Sequence, residues 1–270
     1  MQDLASLPAP DAVAVQYVLT DIDDTLTTDG RLPAEAYHAL ERLDDAGIQI
    51  IPITGRPAGW CDHIARMWPV RAVVGENGAF YYAYDRGARR MKSHYWADEQ
   101  TRADNRIRLN AIRDRVLRDV PGTAVASDQD YRVADLAIDF CEDVPALPDE
   151  AVSRIVQIFQ DEGAQAKVSS IHVNGWFGNY DKLSMTRTLF ERELGLEIDQ
   201  VLSDCLFIGD SPNDEPMFKF FPISVGVANI QALLHRLTHL PAYVASRHGG
   251  GGFVEMAERL LQARTQGHAK

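Results

Sequence analysis

The stretch "YVLTDIDDTLTTDG", residues 17–30, decides how this chain is read. A short apolar run, Tyr17-Val18-Leu19, ends in Asp21, Asp23 and Asp24, with Asp29 close behind. Like charges this near one another repel, and the end of an apolar strand solvates them poorly. Taken alone, the cluster also fits turn residues that simply end a strand. Its surroundings separate the two readings.

Outward from this stretch, short apolar strands alternate with amphipathic helices. "VQYVLT" leads through a polar turn to "PAEAYHALERLDDAG", residues 33–47. Pro33 suits a first helical turn, Ala36, Leu40 and Leu43 share one face, and Gly47 stops the helix. "IQIIPI" follows, then a helix from about Pro57 with Trp60, Ile64 and Met67 expected on one stripe, then "AVVGENGAFYY". This alternation predicts a parallel sheet with helices on its faces. It resumes near Asp181. "DKLSMTRTLFERELG" reads as a helix with Leu183, Phe190 and Leu194 inward, and "CLFIGD" as a buried strand. "ISVGV", a helix from about Ile230, the strand "AYVA" and a last helix near Phe253 complete this half. Between the halves a charged helix (101–118), an alternating strand at Leu136, Ile138 and Phe140, a helix carrying Val152, Ile155, Val156 and Phe159, and an alternating strand over 166–174 form a block of different grammar. The expected organisation is an α/β, Rossmann-like core over residues 1–83 and 181–270 with an inserted α+β cap over 84–180.

Composition narrows the function. The chain has 270 residues, 46% hydrophobic and 24% charged, as in ordinary soluble domains. A net charge of −12 disfavours a partner held by its phosphate backbone, so no nucleic acid is expected. An anionic substrate needs a local cation. The scattered cysteines Cys61, Cys141 and Cys205 read as reduced, mostly buried thiols. No signal segment and no membrane-spanning run is visible, which leads to the expectation of a cytoplasmic protein without a membrane partner.

Three strands end in a particular kind of residue. "YVLT" runs into Asp21 and Asp23, "IQIIPI" into Thr54, and "LFIG" into Asp210, with Asp214 four residues on. Open parallel sheets bind ligands outside the carboxyl ends of their strands, so these residues are expected in one crevice. Clustered carboxylates suit Mg²⁺, a hard cation that takes oxygen ligands and shares them with substrate phosphates. A divalent cation would neutralise the acids and so reward their placement.

At this point the chain resembles the haloacid dehalogenase superfamily of phosphohydrolases. "DIDDT" matches its D-x-D-x-T signature, "ITGRP" its second motif, Lys182 its lysine and "GDSPND" its closing acidic motif. The insertion, with "GENGA" at 75–79 and "GGGGF" at 249–253, is similar to the branch bearing a type-B α/β cap, rich in sugar-phosphate phosphatases. The resemblance implies a Mg²⁺-dependent phosphomonoester hydrolase acting on a small phosphorylated metabolite, expected to be a sugar phosphate. Asp21 would be the nucleophile, giving an aspartyl phosphate, and Asp23 the general acid and base. Mg²⁺ would be held by Asp21, Asp210 and the backbone carbonyl of Asp23, with Asp214 and Asn213 behind them. Thr54 and Lys182 would contact the phosphate.

Two positions depart from the family pattern. Asp24 stands where glycine is common in capped relatives, and Leu183 follows the lysine where glycine is common. Asp181 reads equally as a plain helix cap. Arg56 could reach an anion or form an ion pair, and Asn77 of "GENGA" is a further substrate-binding candidate. In the insertion, Ser170, His172 and Asn174 alternate with Ile171 and Val173, so His172, Asn174 and nearby Trp176 either line a substrate chamber or form the wet side of a sheet. Gly249–Gly252 could cradle an anion or begin a helix. A phosphomutase of the same architecture and a silent sugar-phosphate binding protein are the alternatives in function.

Overall fold

A computed structural model describes residues 1–267. Its centre is a six-stranded parallel sheet in the order β1-β13-β12-β11-β2-β3. These strands are β1 (Gln2–Asp3), β2 (Tyr17–Thr20), β3 (Gln49–Pro52), β11 (Cys205–Gly209), β12 (Ile223–Gly226) and β13 (Tyr243–Val244). Successive strand residues point to opposite faces, and both faces are covered. Val18, Ile50, Leu206 and Ile208 pack under α1 (Ala9–Ala14), α2 (Ala34–Asp45) and α8 (Gly249–Gly267). Leu19, Ile51 and Phe207 meet Met185, Leu189 and Met217 of α6 (Lys182–Leu189) and α7 (Glu215–Phe220). Each such side chain contributes about 1.5–3 kcal/mol of burial. That explains the unbroken apolar runs in these strands.

β4 (Val73–Gly75) reaches the sheet through a parallel bridge between Ile53 and Val74. It pairs antiparallel with β5 (Phe80–Asp85), which pairs with β6 (Arg90–Tyr95). After β6 comes a unit with its own core. A second sheet, β7-β8-β10-β9, is antiparallel: β7 (Ala124–Val125), β8 (Leu136–Asp139), β9 (Gln165–Val168) and β10 (His172–Trp176). α4 (Glu99–Asp119) and α5 (Asp149–Asp161) pack on it through Leu109, Ile112, Val116, Val152, Ile155 and Phe159.

Several local expectations change. The strand expected over 166–174 is a hairpin, β9 and β10, turning at Ser169–Ile171. α3 (Ala58–Met67) buries Ala58, Cys61, Ile64 and Ala65, whereas Trp60 and Met67 are exposed. Ala58, Cys61 and Ala65 let the helix lie close to β4 and β5, which rotates its aromatic residue outward. The helix expected from Ile230 is a run of tight helical turns over Ala228–Arg236, and α8 begins at Gly249 rather than near Phe253. All three cysteines are free. Among the described residues no helix is long and apolar enough to cross a membrane.

Candidate active site

From β2 the chain crosses to β3 on one side, while β11, its other neighbour, leads away to β12 and β13. Such a reversal opens a crevice at the carboxyl ends of β2 and β11. Asp21 follows β2 and Asp210 follows β11, in adjacent register (Thr20 opposite Ile208). The Asp21 N–H donates to the Ile208 carbonyl at 2.9 Å, which fixes the nucleophile candidate to the sheet.

Lys182 opens α6. Asp181 caps that helix by accepting the Ser184 N–H, and Ser184 returns a bond to the Asp181 N–H. The plain capping role of Asp181 is therefore its structural one. Its neighbour has a different position. Lys182 is buried, with Nζ 2.6 Å from Asp21 Oδ1 and 2.6 Å from Asp214 Oδ1. Burial alone would lower the lysine pKa, but Asp21 and Asp214 raise it overall and hold the ammonium. The other Asp214 oxygen accepts the N–H groups of Asp210 and Ser211.

Carboxylate oxygens of Asp21, Asp210 and Asp214 lie within 4.8 Å of one another. Two unit charges at that distance repel by roughly 3–4 kcal/mol at an effective dielectric constant of about 20. One lysine cannot balance three such groups. Burial pushes Asp21 up to about 8 despite Lys182, and burial with Asp21 and Asp214 pushes Asp210 well above the carboxylate range. The surplus negative charge and the all-oxygen donor set fit Mg²⁺.

Facing these acids is a second network. Arg56, in the turn after β3, donates from Nε to both Asp23 oxygens at 3.0 and 2.9 Å. Its Nη atoms reach Asp128 at 3.3 Å and Glu142 at 2.7 Å, both on the inserted unit. His172 Nε2 lies 2.8 Å from the other Glu142 oxygen. That approach, opposed by burial and helped by Arg56, holds Glu142 down at about 2. Asn174 donates to Asp135 at 2.9 Å. Arg132 binds Asp128, Asp135 and the Gly55 carbonyl. Between the two sets lies a chamber with about 10 Å³ of free space, walled by Asp21, Asp23, Arg56, His172, Asn174 and Asn213 among others. A more open apolar groove of about 520 Å³ against α3 holds none of the acids, so the smaller space is the candidate site.

Thr54 is buried and its hydroxyl accepts the Arg56 N–H at 3.0 Å, leaving its own proton to donate. Asn77 lies apart from the chamber wall, its amide against Gly55 and both polar atoms unpartnered. Asn213 accepts from the Ser211 hydroxyl at 2.7 Å. Asp24 takes up φ +55°, the left-handed region that favours glycine and that aspartate tolerates better than most residues. Trp176 is buried, stacked on Tyr180, and is part of the packing. "GENGA" and "GGGGF" are sites of close approach. Gly78 has φ +107°, and a Cβ there would fall 2.1 Å from the Asp181 carbonyl oxygen, so this glycine lets α6 abut the turn. Gly249 and Gly250 dock α8 on residues 26–28, with the Gly250 N–H bonded to Thr27. The sequence reading missed Asp128, Arg132, Glu142 and Asn229; nothing in their local pattern marks them.

The haloacid dehalogenase-like hydrolase family model matches residues 18–102. That matched stretch carries Asp21, Asp23, Thr54 and Arg56. Sequence similarity also extends along most of the chain. A phosphoglycolate phosphatase from Methanoculleus marisnigri is 26% identical over 91% of this chain and 96% of its own length. One from Methanothermobacter thermautotrophicus is 27% identical over 92% and 99%. The fold is shared with a Thermoplasma acidophilum protein (TM-score 0.67, 18% identity, 92% of this chain and 98% of that one). It is shared also with the Synechocystis sucrose-phosphatase (TM-score 0.63, 18% identity, 91% and 98%). In this chain Asp21 and Asp210 follow adjacent strands, and Arg56 links Asp23 beside them to Asp128 and Glu142 of the inserted unit.

Proposed function

We propose that this hydrolase is a Mg²⁺-dependent phosphatase that cleaves a small phosphomonoester through an aspartyl phosphate on Asp21. One observation carries the reading: Lys182 joins Asp21 and Asp214 at 2.6 Å beside Asp210, in a buried pocket that faces Asp23. Asp21 and Asp210, with the Asp23 carbonyl, would hold Mg²⁺, which supplies neutralisation of the acids and polarisation of the phosphate. Lys182 orients Asp21 and lowers the repulsion that an incoming phosphate meets. Asp21 attacks phosphorus, the bond to the ester oxygen breaks, and Asp23 gives that oxygen its proton. Asp23 then takes a proton from the water that attacks phosphorus, releasing inorganic phosphate and restoring Asp21. Thr54 donates to a phosphate oxygen. The Arg56 pair occupies both Asp23 oxygens, so it has to loosen as substrate enters.

We also propose that residues 84–180 act as a cap over the 1–83 and 181–270 core, excluding water during the reaction. Two leaving groups are compatible with the site. A sugar follows from the likeness to type-B-capped enzymes. Glycolate is favoured by the likeness to the two phosphoglycolate phosphatases. A panel of sugar phosphates, phosphoglycolate and an aryl phosphate, assayed for phosphate release with Mg²⁺ and with chelator, tests the proposal. Mg²⁺-dependent release supports it. Isomer formation without release points to a mutase, and binding without turnover to a sensor.

A further inference from the structure

Asn229 is the first tight helical turn's polar residue after β12, and no motif draws attention to it. Its side chain satisfies three groups from three parts of the chain. Nδ2 donates to the Asp24 carbonyl at 3.0 Å and to Asp210 Oδ2 at 3.3 Å. Oδ1 accepts the Gly249 N–H at 3.1 Å, at the start of α8. The opposite oxygen of Asp210, Oδ1, accepts from the Thr25 hydroxyl at 3.3 Å. The Asp210 carboxylate is therefore gripped once on each oxygen, with Thr25 on one side and Asn229 on the other. Without these donors a carboxylate is free to turn about its last torsion, which is broad.

We infer that Asn229 is a positioning residue for the cation site: it aims Asp210 and ties that aim to the loop bearing Asp21 and Asp23. The inference rests on the reading that Asp210 is a Mg²⁺ ligand. Only a carboxamide suits the position, because it must donate to two oxygens and accept from an N–H. An aspartate would face the Asp24 carbonyl and the Asp210 carboxylate with a third acceptor. A leucine would leave the Gly249 N–H and the Asp24 carbonyl unpaired in a half-buried place. Partners that orient metal ligands typically change metal affinity by about 10–100-fold when removed.

The test compares wild type and Asn229→Ala by calorimetric titration with Mg²⁺ alone, beside the Mg²⁺ concentration giving half-maximal phosphate release. The expected result is a Mg²⁺ dissociation constant raised at least about tenfold, with saturating Mg²⁺ restoring most of kcat. If the metal-free Tm of Asn229→Ala shows that it does not fold, Asn229→Ser replaces it, since its hydroxyl is too short to reach both Asp210 and Asp24. Equal Mg²⁺ affinity in wild type and a folded variant overturns the inference and leaves the proposed function standing. A kcat loss that saturating Mg²⁺ fails to restore, with unchanged affinity, assigns Asn229 a structural role and also overturns it. A wild-type protein that binds no Mg²⁺ overturns the reading of the site and this inference with it.

Discussion

Lys182 is buried between Asp21 and Asp214, so each member of the trio depends on the other two. Removing the cation leaves two buried carboxylates facing each other, a change that typically costs about 3–5 kcal/mol. Lys182→Met is expected to lose that much stability in chelator at neutral pH, read by urea unfolding, and at least about a hundredfold in kcat. The acids have a second consequence. Asp21 is pushed up to about 8 by burial, from the usual carboxylate value near 4. Between these values the folded state keeps a proton that the unfolded state has released, so metal-free stability falls as pH rises through that window. Mg²⁺ competes with the proton, and its stabilising shift in Tm is expected to be larger at pH 8 than at pH 5. A shift that is the same at both values would remove the acid cluster as the binding site. These residues were legible in the sequence because acids at strand ends are rare without a counter-charge. Arg56 was legible only as an alternative, and Glu142 not at all, because their contact joins segments far apart in the chain.

At the scale of elements, glycine and turn chemistry decide where the side chains of the site lie. Gly78 stands at φ +107° against the Asp181 carbonyl, directly before Lys182. Gly78→Ala is expected to destabilise the protein by more than about 1 kcal/mol. It should also displace the start of α6, lowering kcat together with a Tm drop of at least about 2–4 °C. Wild-type kcat in this variant would mean that the turn does not position Lys182. The parallel strands and their order were readable, because strands buried on both faces leave continuous apolar runs. The hairpin at Ser169–Ile171 was not, since "SSI" carries neither Gly nor Pro and the alternation continues across it. Trp60 misled for another reason. Periodicity marks a stripe of large residues, but α3 is seated by its small ones, and Trp60 instead lies beside the Arg56 guanidinium, 4.4 Å from it.

At the scale of the molecule, the inserted unit is fastened to the core by charges. Arg56 reaches Asp128 and Glu142, and Arg236 pairs with Asp149 at the start of α5. Of these charges only Arg56 stood out in the sequence, because the pairing depends on how the unit lies over the crevice, which no local pattern encodes. Glu142 titrates in the folded protein at about 2, well below an ordinary glutamate. A depressed carboxylate stabilises the fold above its unfolded value, near 4.5, and loses that contribution as pH falls toward 2. The Tm advantage of wild type over Glu142→Gln should accordingly be full at pH 6 and shrink steadily below pH 4. An advantage independent of pH would show that Glu142 acts through packing alone.

The central claim is that Asp21 becomes phosphorylated during turnover. The measurement that reaches it most directly is mass spectrometry of enzyme quenched with acid while hydrolysing a phosphate ester. The peptide containing residues 17–30 should carry one phosphoryl group on Asp21 when Mg²⁺ is present. Asp21→Asn should show neither the modification nor measurable phosphate release. Turnover by Asp21→Asn near the wild-type rate, with that peptide unmodified in both proteins, would contradict the account.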